Sequence, residues 1–275
     1  AENLPDDLFD LDILDGSPPC TSFSTAGVRE RDWGKQKVFS EGQQLQRLDD
    51  LFFTFIALAK RLQPKIVVSE NVSGMVKGKA RGYIKEIITA FDEAGYRTQI
   101  FRLNGATMGV PQARDRVFFM SARKDLDFPK IKLDFHEKPI PFGEVENILA
   151  KTPNNSMGEQ LFINEMMRKL WRNCKQGKSF DTAHDIDRFF SHKKLHQQKP
   201  TNTLPATDVI YHPTEPRRLS VEEWAICSSF PMDMQWPGAN SGGRRKWFMG
   251  MSVPPFMIQR IALEIRKQWL KKNRV

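Results

Sequence analysis

Cysteine is scarce in this chain, with Cys20, Cys174 and Cys227 its only three among 275 residues. An odd number with no Cys-x-x-Cys pair argues against a disulfide framework or a structural zinc and fits a reducing compartment. Histidine is nearly as rare. His184, His192 and His196 lie near one another, but in a stretch rich in Lys and Gln, and read as facing solvent or phosphate rather than a metal. No apolar run is long enough to span a membrane, and no signal peptide is evident. Internal repeats and low-complexity tracts are missing too. The first fifteen residues lack any basic side chain while holding six acidic ones, and no Gly-x-Gly occurs before Cys20.

What is present begins with size and charge. The length suits one large domain or a large and a small one, and 40% hydrophobic residues can supply a core. Net charge is +9; beyond the acidic lead-in, 42 basic side chains face 27 acidic ones. Such a surplus suits a polyanionic partner, although dispersed lysines on a basic protein are an equal reading of composition alone.

The stretch Asp15-Gly16-Ser17-Pro18-Pro19-Cys20-Thr21-Ser22-Phe23-Ser24 follows a predicted strand, Leu11-Asp12-Ile13-Leu14. Two prolines fix φ and remove backbone donors, with Gly16 supplying freedom before them. A rigid turn at the carboxyl edge of a strand should therefore present Cys20, where open α/β sheets collect ligands and reactive groups. A lone Cys in such a turn is more often simply buried. Three further stretches alter that balance. An apolar strand at Lys65–Val72 ends on Glu70-Asn71-Val72. Gly109–Met120 carries Gln112, Arg114 and Arg116 into another strand, and Trp247–Pro255 contains Gly250-Met251-Ser252-Val253-Pro254-Pro255.

Pro-Pro-Cys, Glu-Asn-Val, Gln-x-Arg-x-Arg and Gly-x-Ser-Val-Pro-Pro, in this order, resemble the DNA (cytosine-5) methyltransferases. The likeness covers most of the chain outside about residues 125–199. It implies an α/β, doubly wound, Rossmann-like methyltransferase domain with a small target-recognition domain. The expected boundaries are 1–135 for the catalytic domain, 136–245 for target recognition and 246–275 for a segment returning to the catalytic domain. A member of this family would carry its main cofactor turn, Phe-x-Gly-x-Gly, upstream of Cys20; a truncation, an unplaced segment or a second chain supplying it are all open readings.

Periodicity agrees with that fold class. Apolar residues at three- and four-residue spacing predict helices over about 45–62 and 80–94, the latter stopped by Gly95. Strands are predicted at about 66–69, 96–103 and 116–121, and their alternation with helices indicates parallel βαβ units. Between Thr25 and Gln43 the sequence reads as a long polar loop, in the family a lid over nucleic acid. Residues 125–145 read as extended. A helix is expected over 159–174, and a basic, His-containing stretch follows at 191–199. Ser220 and Glu223 form a candidate capping box, and a last helix spans about 255–270.

The resemblance assigns Cys20 as the nucleophile that adds to C6 of cytosine and Glu70 as the acid facing N3. Taken by itself, Glu70 is as well explained as a strand-end carboxylate capping the next helix. Arg114 and Arg116 alternate on one strand face, one to hold the base or its phosphate and the other to brace Glu70; a structural ion pair is the alternative, with Asp115 pointing the other way. Ser24, Asn71 and Gln112 are implied substrate-side residues, with Asn71 ordering the turn. Pro19, Leu51, Ser252 and Val253 match positions that line S-adenosyl-L-methionine, while Met251 replaces the Asn that commonly precedes this Ser. The implied partner is double-stranded DNA in a bacterial or phage-infected cell, in cytoplasm, or in a nucleus if eukaryotic. A transfer-RNA substrate and a non-catalytic DNA-binding subunit are the competing readings.

Overall fold

The computed structural model describes residues 4–18, 36–37, 46–47, 51–76, 81–151, 161–183, 189–236, 238–239 and 241–271. In chain order the elements are β1 (Ile13–Gly16), β2 (Gln36–Lys37), β3 (Gln46–Arg47), α1 (Leu51–Leu62), β4 (Ile66–Val72), α2 (Arg81–Glu93), β5 (Tyr96–Asn104), β6 (Gln112–Ala113) and β7 (Asp115–Arg123). They continue with α3 (Phe142–Ala150), α4 (Glu165–Asn173), β8 (Lys193–Lys194), β9 (Thr201–Asn202), β10 (Ile210–Tyr211), α5 (Val221–Cys227), α6 (Gly242–Met251) and α7 (Pro255–Ile265). The chain divides into two compact units. The first comprises 1–103, 115–133 and 264–275, and the second 104–114 and 134–263.

The first unit is built on one sheet in the order β1-β4-β7-β5. Strands β1 and β4 are parallel, with Ile13 opposite Ile66 and Gly16 opposite Ser69. The expected parallel pattern is modified at β7, which runs antiparallel to β4 from Ile66↔Ala122 to Val72↔Arg116. Only residues 105–114 separate β5 from β7, too few for the helical crossover that a parallel neighbour demands.

One face of this sheet is covered by α1 and α2. Phe52, Ile56 and Ala59 from α1 and Ile87 and Phe91 from α2 bury against Val67, Val117 and Phe119. The Phe52 and Phe119 rings meet edge-on at 5.2 Å and 70°, a favoured aromatic geometry. Gly95 ends α2 at φ +93°, a conformation that glycine adopts without a Cβ penalty. Gly16 serves a purpose other than turn freedom: a Cβ there would stand 2.4 Å from the Phe55 ring. Its missing side chain lets α1 lie close to the end of β1.

The second unit centres on Phe142, Leu195, Leu204, Leu219, Trp224, Cys227 and Met249. The capping box forms at the head of α5: Glu223 N donates to Ser220 Oγ at 3.0 Å, and Ser220 N donates to Glu223 Oε2 at 2.7 Å. Arg217 adds two bonds of 2.8 Å to the same carboxylate. The helix expected over 159–174 is shorter; α4 starts at Glu165, where Asn164 Oδ1 accepts from Met167 N at 2.9 Å. Of the histidines, His184 lies outside the described residues. His192 is half-buried rather than solvent-facing, with Nδ1 2.8 Å from the Tyr211 hydroxyl.

Helix α6 packs its last turn against backbone. A Cβ on Gly250 would fall 2.2 Å from the Pro205 carbonyl oxygen, which no side-chain rotation relieves. Gly250→Ala should therefore destabilise the protein by about 3 kcal/mol, at the upper end of ordinary overpacking. Urea denaturation checks this, and an unchanged midpoint would show that the backbone shifts freely.

Candidate active site

The carboxyl edge of β1 and β4 gathers the polar residues of the first unit. Because Gly16 pairs with Ser69, the chain leaving β1 runs beside Glu70 and Asn71. Asn71 is buried, and its Nδ2 donates to the Pro18 carbonyl at 3.0 Å while its Oδ1 accepts from Val72 N at 2.9 Å. One side chain thus ties the end of β4 to the turn that continues into Pro19 and Cys20. Pro19, Cys20 and Ser24 themselves lie outside the described residues.

Glu70 and Arg116 share the sheet face opposite α1 and α2. Glu70 is opposite Phe118, and Arg116 is two residues further along β7, so the pair are diagonal cross-strand neighbours. Arg116 Nε lies 2.8 Å from Glu70 Oε1, with the two side chains only 13% and 10% exposed. Burial pushes the Arg116 guanidinium down from its ordinary value, and the charge and hydrogen bond of Glu70 oppose that shift. Arg116 Nη1 also donates to the Asp115 carbonyl at 2.8 Å. The Asp115 carboxylate points elsewhere, to Arg102 on β5 at 2.6 Å. Arg102 carried no motif signal; only the β5–β7 pairing reveals it.

The two arginines of the Gln-x-Arg-x-Arg motif have different surroundings. Arg114 precedes β7, belongs to the second unit and is 2% exposed. Its Nη1 donates to Leu204 O at 3.2 Å and its Nη2 to Gly250 O at 2.9 Å. Gln112 is equally buried. Its Nε2 lies 3.3 Å from both Cys227 O and Ser228 Oγ, and its Oε1 accepts from Leu204 N at 3.1 Å. Both side chains therefore knit the second unit internally.

Leu51 opens α1 in the first unit and is half-buried. Ser252 and Val253 follow α6 in the second unit, also half-buried, and Ser252 Oγ donates to Phe248 O at 2.8 Å. Leu51 and Val253 are apolar and offer no hydrogen-bonding side-chain group. Met251 is 62% exposed and has no hydrogen-bond donor for an amino-acid carboxylate.

Cys174 and Cys227 are buried. Burial pushes both thiols up, Cys227 well above its ordinary value, the opposite of what a thiolate nucleophile needs. Among the described residues, no group of three or more His, Cys, Asp or Glu could hold a metal, and no helix is long and apolar enough to cross a membrane.

Comparison with known proteins decides the family. The profile described as C-5 cytosine-specific DNA methylase matches residues 2–267. The chain belongs to this family. It is a methyltransferase enzyme of the DNA cytosine-5 class, and S-adenosylmethionine is the methyl donor that the class implies. The Type II methyltransferase M.NgoFVII of Neisseria gonorrhoeae is 29% identical over 279 residues, covering 93% of this chain and 70% of that protein. The Type II methyltransferase M.XorII of Xanthomonas oryzae is 27% identical over 320 residues, covering 96% of this chain and 70% of its own. Among solved structures, the Entamoeba histolytica methyltransferase EhMeth shares the fold with a TM-score of 0.63 at 15% identity, over 93% of this chain and 77% of that one.

Proposed function

We propose that this cytosine-5 methyltransferase acts on a cytosine flipped out of duplex DNA, through a covalent bond between Cys20 and C6 of the base. The observation that carries the reading is the buried Glu70–Arg116 pair, held by Asn71 to the turn that leads into Cys20. C5 of cytosine is a poor nucleophile within its electron-deficient ring. Addition of the Cys20 thiolate to C6 turns the ring into an enamine and pushes electron density towards N3. Glu70, ionised beside Arg116 in the free protein, takes up a proton from solvent as the base enters and donates it, or a strong hydrogen bond, to N3, while Arg116 fixes the orientation of its carboxyl. S-adenosylmethionine supplies the methyl group as an electrophilic sulfonium substituent. S-adenosylhomocysteine is the leaving group; the C5 proton then passes to solvent water, its electron pair expels the Cys20 thiolate from C6, and N3 returns its proton to Glu70, which restores the aromatic ring.

Attack at C6 comes from above the ring plane, which stacked neighbours block, so the target base must leave the helix. Pro19, Leu51, Ser252 and Val253 are proposed to line the donor, and Ser24 to touch the DNA backbone. Arg114 and Gln112 act as positioning residues, because Nη1 and Nη2 of Arg114 and both polar atoms of the Gln112 amide bond within the second unit. Target recognition is assigned to about residues 136–245, where Lys193 and Lys199 contribute positive charge. The names of the Type II relatives favour a setting in DNA modification linked to restriction.

Covalent trapping tests the reading. The protein is incubated with S-adenosylmethionine and a duplex carrying 5-fluorocytosine, whose fluorine blocks the final elimination. Mass spectrometry should show a denaturant-stable adduct on Cys20. Adduct formation on 5-fluorocytosine in transfer RNA but not in duplex DNA would move the substrate to RNA. An adduct that forms only with a second polypeptide bearing a Gly-x-Gly turn would assign the cofactor segment to that partner. No adduct in any arm, together with tight duplex binding, would overturn the reading.

A further inference from the structure

At the other end of the sheet from Glu70, the first unit contains a cavity of about 810 Å³. Its apolar lining is Leu126, Phe128 and Leu270, and its charged lining is Lys65, Arg266, Lys271 and Asp12. Lys65 immediately precedes β4 and Glu70 lies five residues on, so about 16 Å of strand separates this cavity from the candidate catalytic edge. Methyl transfer as described above makes no use of it.

The cavity is built on fixed parts. Phe128 stacks on Trp269 with ring centroids 5.7 Å apart at 25°, and Trp269 Nε1 donates to Pro129 O at 2.7 Å. Beyond α7 the helix changes to a π-helical turn over Arg266–Leu270, closed by Lys271 N donating to Arg266 O at 2.8 Å. Arg266 and Lys271, the two residues that this bond joins, both line the cavity. Turns of this kind are rare and recur at functional sites. Lys65 Nζ meets Asp12 at 2.6 Å, whereas Arg266 and Lys271 have no ion-pair partner among the described residues. Three cations against one carboxylate leave the lining two charges positive.

We propose that this cavity binds an organic phosphate of the nucleoside diphosphate class. The volume falls within the range of roughly 300–1,000 Å³ typical of small-molecule sites, and apolar residues with a few convergent charges are their usual lining. Arg266 can grip a phosphate through two parallel N–H bonds, and Lys65 and Lys271 add point charges. The apolar body of the ligand lies against the half-buried Leu126 and Leu270. Asp12 opposes the ligand, and its exposed pair with Lys65 contributes little to stability.

Calorimetric titration of the full chain, with saturating S-adenosylhomocysteine to occupy the donor site, tests this. ADP should bind, pyrophosphate should bind at least tenfold more weakly for want of the apolar body, and adenosine should not bind. Arg266→Glu and Lys271→Glu should each weaken ADP at least tenfold with no change in melting temperature, because both side chains are exposed. Asp12→Asn should tighten ADP several-fold, a gain that a merely structural carboxylate would not give. No ADP binding, an affinity indifferent to Arg266→Glu and Lys271→Glu, or adenosine binding as well as ADP would each overturn the proposal. Duplex DNA affinity lost in Arg266→Glu, without ADP binding, would assign the surface to a phosphate backbone and overturn it equally.

Discussion

Cys20→Ser should remove methyl transfer while leaving duplex affinity within about twofold of the wild type. The chemistry asks for a group that is anionic near neutral pH, adds to C6 and leaves again. A thiol meets those conditions once its proton is lost, and a serine hydroxyl does not. A loss of at least about a thousandfold, or about 4 kcal/mol of barrier, is expected. Phosphate contacts do not involve the sulfur, so binding and its steep salt dependence should persist. Filter-binding and tritiated-methyl transfer on the same preparations separate the two effects. The other cysteines offer no substitute: both are buried and their thiols are pushed up. Turnover near the wild-type rate in Cys20→Ser would end the assignment of nucleophile.

The legible parts of this fold were those with a local cause. Helix α2 and its Gly95 stop, strand β4 and the Ser220 capping box follow from periodicity and cap chemistry, which act within a few residues. The motif residues Glu70 and Asn71 could be placed at a strand end because the apolar run before them is continuous. Less legible was anything that depends on partners distant in sequence. Helix α6 opens on Gly242-Gly243-Arg244-Arg245, a poor helical signature, yet Ser241 caps it and its Gly250 fits against Pro205. Helix α3 begins within the stretch 125–145 that reads as extended, and its Phe142 and Val145 are held by the core of the second unit. The alternation of Arg114 and Arg116 suggested one shared face. Arg114 lies between strands β6 and β7, however, and the two arginines belong to different compact units. The place of Gly16 before two prolines predicts a need for backbone freedom, whereas the close Phe55 ring explains it. Such causes are tertiary, and a one-dimensional pattern holds no trace of them.

The second large effect concerns the ion pair. Arg116→Ala should lower stability by about 3–5 kcal/mol, because it leaves the Glu70 carboxylate buried without its guanidinium partner. It should also abolish methyl transfer, since Arg116 is proposed to orient the Glu70 carboxyl towards N3. Glu70→Gln removes the charge but keeps the shape, so it should cost less stability while reducing turnover at least a hundredfold, the scale of a lost general acid. The double variant Glu70→Gln/Arg116→Ala separates the two contributions. With the carboxylate charge gone, removal of Arg116 no longer strands a buried anion, and the double variant should be more stable than Arg116→Ala alone by at least about 1 kcal/mol, a coupling expected of residues in contact. Turnover should not return with the stability, because the proton-donating group is still missing. Guanidinium denaturation and single-turnover methylation of all four proteins give both readouts. Additive stabilities would mean that the 2.8 Å contact carries no net coupling. Recovered turnover in the double variant would mean that Glu70 acts on the fold and not on the base.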